Sequence, residues 1–248
     1  MKKKTLLITG ASRGIGAAIA RRAATEFSVV INYQNSVDAA NNLVKEIEQA
    51  GGSALAIRAN VGVQSEVKSM FHTIDDAFGG LDILINNAGK SVPISVATVE
   101  EAALLDSFQT NLFSMYYCSK EAINRMSTDN GGNGGVIINM SSVASRLGGM
   151  KGGAAYAASK GAIDSLTLAM AKEVGKQGIR VNAIRPGLIE TDIHDVHGGI
   201  EPMRELASAV VPMGRSGLAD EVASVALWLA SKDASYVHGA LIDVSGGR

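Results

Sequence analysis

Residues 9–16 read TGASRGIG and join a short apolar run to a helical pattern. The preceding run, residues 4–10 (KTLLITG), is typical of a buried strand that ends in glycine. Residues 14–27 repeat apolar side chains at the period of an amphipathic helix. The order of strand, glycine-rich turn and helix predicts a phosphate-binding site where the helix begins.

The glycines of this turn suit that purpose. Gly10, Gly14 and Gly16 have the spacing G-x-x-x-G-x-G, which differs from the commonest dinucleotide fingerprint but has the same physical use. Glycines let the backbone approach a pyrophosphate, and the helix N-terminus supplies free N–H groups and a partial positive charge. We therefore expect a nucleotide at this turn.

Apolar runs alternate with helical patterns along the rest of the chain. Strands are predicted at 4–10, 28–33, 53–61, 81–89, 135–142, 179–187 and 240–247. Helices are predicted at 14–27, 36–51, 65–80, 100–126, 154–176 and 220–231. Continuous apolar strands separated by helices imply a parallel sheet covered on both faces. The predicted fold is α/β, a doubly wound parallel sheet of the Rossmann type, in one domain over residues 1–248.

One segment interrupts the alternation. Residues 187–218 contain two histidines, two adjacent glycines and two prolines, and they follow a predicted strand. We expect an irregular excursion that forms a small lid over the substrate.

Composition excludes several classes of partner. The 248 residues carry a formal net charge of -1, which gives no electrostatic footprint for nucleic acid. No apolar run is long enough to cross a bilayer, and the first residues lack the apolar region of a signal peptide. We expect a cytoplasmic protein. The one cysteine, Cys118, is expected in the core.

The end of the second predicted strand bears on which nucleotide binds. NAD sites usually carry an acid about 20 residues after the glycine turn, to hold the ribose 2′-hydroxyl. Residues 32–36 (NYQNS) contain none, and Asp38 already belongs to the next helix. Arg13 could pair with a 2′-phosphate, or it could be a solvated turn residue. This pattern favours NADP over NAD, with NAD less favoured but open.

The stretch YAASK places Tyr156 and Lys160 four residues apart. On a helix such residues lie on the same face, so phenol and ammonium can point into one site. Alone, this spacing is also common on solvated surface helices.

Together these motifs resemble the short-chain dehydrogenase/reductase family over essentially the whole chain. The matching stretches are TGASRGIG, NNAG (86–89), Asn111, SS (141–142), YAASK, RPG (185–187), ET (190–191) and GALIDVSGG (239–247). The pattern resembles both the 3-oxoacyl-thioester reductases and the sugar or polyol dehydrogenases of the family. Residues 141–164 and 185–194 look closer to glucose/ribitol dehydrogenase-like members.

The resemblance implies roles for individual residues. Tyr156 looks like the acid/base, Lys160 its partner, Ser142 the residue that polarises the substrate oxygen, and Asn111 the organiser of a water leading to Lys160. Ser141 is the alternative to Ser142. The implied cofactor-binding set is Gly10, Ser12, Arg13, Gly14, Ile15, Gly16, Asn32, Tyr33, Asn60, Val61, Asn87, Ala88, Gly89, Tyr156, Lys160, Pro186, Gly187, Ile189 and Thr191.

Two further expectations concern this set. Asn60 stands where the family often has aspartate, and its amide can still bond the adenine. Arg146, Met150, His194 and His197, in loops near the site, are expected to face the substrate.

The chemistry explains the pairing of Tyr156 with Lys160. Hydride transfer to a carbonyl carbon leaves charge on oxygen, which must gain a proton. A free tyrosine has a pKa of about 10 and is a poor base near neutrality. Lowering that pKa by roughly 3 needs about 4 kcal/mol, which we expect from Lys160 and the positively charged oxidised nicotinamide.

The predicted function is thus an NADP(H)-dependent oxidoreductase acting on a ketone or secondary alcohol. A catalytically silent nucleotide sensor or scaffold is the alternative; a methyltransferase is disfavoured because its chemistry does not use a Tyr–Lys pair. No metal is expected, since His194 and His197 lack further ligands at a telling spacing, and no G-x-S-x-G nucleophile elbow is present.

The predicted helix at 154–176 is apolar on more than one face, which usually means a second partner. The family commonly pairs this helix across a two-fold axis. We therefore expect a homo-oligomer, a homotetramer rather than a dimer.

Overall fold

The structure is a computed structural model that describes residues 3–248, apart from the side chains of His194 and His197. The strands within this range are β1 (Lys4–Ile8), β2 (Phe27–Tyr33), β3 (Ser53–Arg58), β4 (Ile83–Asn86), β5 (Gly135–Met140), β6 (Ile179–Pro186) and β7 (Leu241–Val244). The α-helices are α1 (Gly14–Ala23), α2 (Val37–Gln49), α3 (Gln64–Phe78), α4 (Glu101–Phe108), α5 (Ser114–Met126), α6 (Ala144–Leu147), α7 (Ala154–Val174), α8 (Ile200–Val210) and α9 (Ala219–Ala230).

These strands form one parallel sheet in the order β3-β2-β1-β4-β5-β6-β7. Leu6 of β1 pairs with Val29 on one side and with Ile83 on the other. The chain winds outward in both directions from this point. Ligands of such sheets bind where the strand order reverses, at the carboxyl ends of the strands. The predicted Rossmann-type fold is confirmed.

The sheet separates two apolar layers. Leu6 and Ile8 of β1 belong to the layer under α1, α2 and α9, whereas Leu7 belongs to the layer under α3, α5 and α7. The side chains of the central strand β1 are therefore buried against helices on both faces, which explains its unbroken apolar run. Cys118 is fully buried in the second layer, as predicted.

The structure differs from the sequence prediction in two helical regions. The predicted helix at 100–126 is divided by a π-helical turn, Gln109–Phe113, between α4 and α5. The segment predicted as a lid, residues 187–218 (the lid segment), is not irregular, because it contains the helix α8. That it covers a substrate stays a prediction. Met203 and Ala207 of α8 lie one turn apart and pack with Leu188 and Val211. Gly198 and Gly199 precede this short helix, Pro202 lies in its first turn, where proline is tolerated, and Pro212 follows it.

The lid segment is closed at its base. Ile189 and Gly217 form a β-bridge, Glu190 N–H donates to the Gly217 carbonyl, and Gly217 N–H donates to that of Leu188, each bond at 2.9 Å. The lid therefore leaves and returns to the sheet at one point. No helix in the described part of the chain is both long and apolar enough to span a membrane.

Candidate active site

A cavity of about 690 Å³ opens along the carboxyl edge of the sheet, which is a usual size for a ligand site. Most of the predicted site residues line it. They are Gly10, Ser12, Arg13, Gly14, Ile15, Asn32, Tyr33, Asn60, Val61, Asn87, Ala88, Gly89, Ser142, Tyr156, Lys160, Pro186, Gly187, Ile189 and Thr191. Gly16 and Asn111 do not line the cavity.

The glycine-rich turn forms a cradle at the start of α1. Gly10 and Gly14 have φ of 61° and 57°, in the left-handed region that favours glycine. A Cβ at Gly10 would lie 2.9 Å from the Ala88 Cα, and one at Gly14 would lie 3.4 Å from the Thr191 Cγ2. No side chain caps α1, so its first N–H groups are free for a ligand. Backbone, helix end and space all fit a dinucleotide's pyrophosphate.

Thr9 and Asn87 fasten this cradle to β4. The Thr9 Oγ1 accepts the N–H groups of Asn87 and Ala88, both at 2.9 Å. The Asn87 amide donates to the carbonyls of Thr9 and Gly10 at 2.9 and 3.1 Å. Gly16 packs against Asn87, since a Cβ there would lie 2.7 Å from its Nδ2. Gly16 therefore serves close packing of α1 rather than the cavity wall.

The far end of the cavity lies over β2 and β3. Asn32 is buried, accepts the Gly10 N–H at 3.1 Å and donates to the Ala59 carbonyl at 3.0 Å. Its amide therefore holds the cradle against β2 and the end of β3. The Asn60 Oδ1 accepts the Gly62 N–H at 3.0 Å. The wall continues through Gln34, Asn35 and Ser36.

Arg13 is the cation of the cradle. Its side chain is 67% exposed and lies 3.7 Å from the carboxylate of Asp192 in the lid segment. Asp192 also lines the cavity. The ion pair thus joins the glycine turn to the segment that follows β6.

Ser142, Tyr156 and Lys160 meet at the other end of the cavity. Tyr156 is half-buried in the first turn of α7, and the Ser142 hydroxyl lies near enough to act on the pKa of its phenol. The Lys160 Nζ lies 5.6 Å from the centre of the Tyr156 ring and donates to the Met140 carbonyl at 2.7 Å. Ser141 instead donates its hydroxyl to the Lys160 carbonyl at 3.1 Å. The geometry favours Ser142 over Ser141.

Burial is the main cause of the pKa shifts of Tyr156 and Lys160. Burial raises the pKa of the Tyr156 phenol, and the Ser142 hydroxyl opposes that rise. Burial lowers the pKa of Lys160 to about 8, against the opposing charge of Asp164. In the chain alone both groups are desolvated and the ammonium is directed at the Met140 carbonyl. The expected lowering of the Tyr156 pKa by Lys160 and oxidised nicotinamide together stays a prediction.

Asn111 lies in the π-helical turn and is 0% exposed. Its Oδ1 accepts the Lys90 N–H at 2.8 Å, and its Nδ2 donates to the Lys90 carbonyl at 3.0 Å and to the Ser159 hydroxyl at 3.2 Å. Ser159 in turn donates to the Tyr156 carbonyl at 2.7 Å. Asn111 therefore joins the segment after β4 to α7, and its predicted organisation of a water stays a prediction.

The residues expected to face the substrate have different positions in the structure. Met150 lines the cavity. The prediction for Arg146 is wrong: its guanidinium pairs with Asp243 at 2.8 Å and donates to the Arg248 carbonyl at 3.1 Å. The side chains of His194 and His197 lie outside the described residues.

Beside Ser142 and Tyr156 the cavity wall is apolar. Leu147, Ile193 and Val196 line it and are 46%, 37% and 52% exposed. Large apolar side chains left this open in a wall are suited to an apolar ligand group.

Sequence reasoning missed part of the wall. The additional lining residues include Gln34, Asn35, Ser36, Lys90, Ser91, Asp106, Gln109, Thr110, Val143, Leu147, Leu188, Asp192, Ile193, Val196 and Arg248. Several directly follow a predicted motif, and that adjacency is the signal that could have found them. Lys90 and Asp106 form an ion pair that no sequence pattern indicates. Among the side chains that the structure describes, no group of three or more His, Cys, Asp or Glu could hold a metal.

Comparison with known proteins agrees with this geometry. Residues 10–248 match a family model described as Enoyl-(Acyl carrier protein) reductase. The chain is 45% identical over 247 residues to the uncharacterized oxidoreductase YgfF of Escherichia coli, covering 98% of each chain. It is 37% identical over 245 residues to the 3-oxoacyl-[acyl-carrier-protein] reductase FabG of Staphylococcus aureus, covering 98% of this chain and 97% of the relative.

A solved structure shows the same likeness. A double mutant of a short-chain dehydrogenase/reductase from Serratia marcescens superposes with a TM-score of 0.90 at 33% identity. The match covers 99% of this chain and 98% of that one.

Proposed function

Because the chain belongs to the short-chain dehydrogenase/reductase family, a family of oxidoreductases, we propose that it transfers a hydride between NADP(H) and a ketone or secondary alcohol. Tyr156 is the proposed acid/base. The observation that carries this proposal is the meeting of Ser142, Tyr156 and Lys160 in one cavity with the glycine cradle.

When bound, the nicotinamide supplies or accepts the hydride. In the reductive direction the Tyr156 hydroxyl gives its proton to the substrate oxygen as negative charge develops there. Ser142 donates a hydrogen bond to the same oxygen without titrating. Alcohol oxidation reverses these transfers, with the phenolate as base.

Lys160 supplies the charge that balances the phenolate. With a pKa of about 8 it is mostly protonated at neutral pH. Because burial raises the Tyr156 pKa in the chain alone, the positive charge of oxidised nicotinamide is needed to favour phenolate. Formation of the phenolate, and hence alcohol oxidation, therefore requires bound oxidised cofactor.

The residues of the cradle support NADP over NAD. The wall from Asn32 to Ser36 has no carboxylate for a ribose 2′-hydroxyl, and Arg13 is an exposed cation within the cradle. A 2′-phosphate would give Arg13 a charge-assisted hydrogen bond in place of its weak, exposed ion pair with Asp192.

The apolar wall supports a ketone with an apolar group over a sugar. Leu147, Ile193 and Val196 offer no hydrogen bonds to several hydroxyl groups, whereas they suit an alkyl or acyl chain. The 37% identical relative is named as a 3-oxoacyl-carrier reductase, which is consistent with such a substrate for this chain.

Steady-state assays test the proposal. Short 3-oxoacyl thioesters, alkyl ketones and sugars are compared with NADPH and with NADH at equal concentrations. We expect turnover of a thioester or alkyl ketone, faster with NADPH. Absence of turnover with every substrate and either cofactor would overturn the reaction, and turnover of sugars alone would overturn the substrate class.

A homotetramer is also proposed. Leu168 of α7 and Tyr116 of α5 are exposed apolar side chains on long helices, and the Cβ position of Gly161 on α7 is open. Such a surface suits burial against a second copy. Analytical ultracentrifugation is expected to give about four times the 25.7 kDa chain mass; a monomer at every concentration would contradict it.

A further inference from the structure

Behind the proposed acid/base pair lies a buried carboxylate. Asp164 follows Lys160 by one turn of α7, so the two side chains lie on the same face of the helix. Asp164 is 8% exposed. A carboxylate in such a position acts on a neighbouring ammonium with little screening by solvent.

Arg185 of β6 fixes this carboxylate. Its Nε and Nη2 donate to the Asp164 Oδ2 at 3.0 and 2.9 Å. The Asp164 Oδ1 is buried and has no hydrogen-bond partner among the described residues. Arg185 also faces Asp243 of β7 at 3.6 Å, so its own charge is shared between two carboxylates. Asp164 is therefore held in place without being fully neutralised.

Among the described residues, the other elements packed around Lys160 place no further charged group against it. β5 presents the Met140 carbonyl, the π-helical turn presents the Asn111 amide, and Gly89 follows β4. Lys90 directs its ammonium to Asp106. From α7 the titratable neighbours are Tyr156 and Asp164, and beyond Asp164 lie the Arg185–Asp243 pair and Arg146, which is bound to Asp243.

We propose that Asp164 is a positioning residue for the acid/base pair: its carboxylate, fixed by Arg185 one helical turn from Lys160, favours the charged form of the Lys160 ammonium beside Tyr156. The inference rests on the proposed function for its catalytic meaning. The coupling of Asp164 to Lys160 is nevertheless a property of the folded chain, measurable without turnover.

Two variants with opposite expected signs test the coupling. Asp164→Asn removes the carboxylate and leaves Arg185, so the proton-dissociation constant of Lys160 is expected to rise about threefold to tenfold. Arg185→Gln leaves the carboxylate and removes its partner cation, so that constant is expected to fall. A purely structural role would not move the two in opposite directions.

The readout is the Nζ titration of Lys160, followed by NMR of protein labelled with ¹⁵N-lysine and assigned with Lys160→Met. Asp75→Asn is the matched control, because Asp75 also accepts hydrogen bonds from a partly buried arginine, Arg125, but lies on α3. It is expected to leave the titration unchanged. Either Asp164→Asn or Arg185→Gln suffices if the other does not fold.

Kinetics then connect the coupling to function. In Asp164→Asn the alkaline limb of kcat/KM for ketone reduction is expected to move to lower pH, and Asp164→Glu is expected to restore part of it. An unchanged Lys160 titration in the Asp164 and Arg185 variants would overturn the inference and leave the proposed function standing. If the Lys160 titration shifts as expected but the parent protein turns over no substrate, the coupling of Asp164 to Lys160 stands and the proposed function is overturned.

Discussion

Replacing Lys160 with methionine is expected to change the pH dependence of stability. Lys160 is 3% exposed, and burial lowers its pKa from 10.5 to about 8. At about 1.4 kcal/mol per pKa unit, keeping this ammonium charged in the folded chain costs about 3 kcal/mol. Methionine fills a similar volume and carries no charge.

The sign follows from the direction of the shift. The folded-state pKa is lower than the unfolded one, so between pH 8 and 10.5 the unfolded chain binds more protons than the folded chain. The stability of the parent should therefore rise with pH across this window, relative to Lys160→Met. Below pH 8 the full penalty is present, and above 10.5 it has gone.

Equilibrium urea unfolding at equal protomer concentrations measures this difference. We expect the stability of the parent, relative to Lys160→Met, to increase by about 2–3 kcal/mol from pH 7 to pH 10. Lys172→Met, an exposed lysine on the same helix, is the control and should show no such change. A parent–variant difference that stays constant with pH would refute the buried, destabilised ammonium.

Three further predictions concern the cofactor cradle. Arg13→Ala should weaken NADPH binding about 10- to 100-fold, the contribution of a charged hydrogen bond, and should weaken NADH binding much less. Asp192→Asn is the control and should not weaken NADPH binding. Equal losses of affinity for both cofactors in fluorescence titrations would contradict the role of Arg13. Gly14→Ala forces a side chain to φ of 57° beside Thr191 and should weaken both cofactors by at least about fivefold, at a backbone cost of about 1 kcal/mol or more. Its control, Gly131→Ala, has φ of 82° and open space, and calorimetry should show lost stability there with unchanged cofactor binding. Thr9→Val leaves the N–H groups of Asn87 and Ala88 without their acceptor and should lower the free energy of unfolding by about 2–4 kcal/mol. The control Thr5→Val should lower it less. Equal losses in chemical unfolding would argue against the stabilising role of the Thr9 hydrogen bonds.

The strands were predictable because the sheet is buried on both faces. Leu6, Leu7 and Ile8 each pack against a helix layer. An apolar run without alternation therefore indicated a strand that is buried on both faces. Tyr156 and Lys160 were predictable for a similar local reason, since residues four apart on one helix share a face.

The misses depend on contacts distant in sequence. Arg146 does not line the cavity, and its guanidinium pairs at 2.8 Å with Asp243, almost a hundred residues later. The helix α8 needs Leu188 and Val211 to cover Met203 and Ala207. The pKa of Tyr156 is raised by burial, a quantity that the spacing of Tyr156 and Lys160 does not contain.

Proton transfer by the Tyr156 phenol is tested by Tyr156→Phe, with turnover and cofactor binding determined on the same preparation. Removing one hydroxyl leaves the ring in place on α7. We predict a fall in kcat of at least about 10²- to 10⁴-fold, the range for a lost acid/base group, with NADPH affinity within about twofold of the parent. A variant that keeps more than about a tenth of the parent kcat would contradict proton transfer by this phenol.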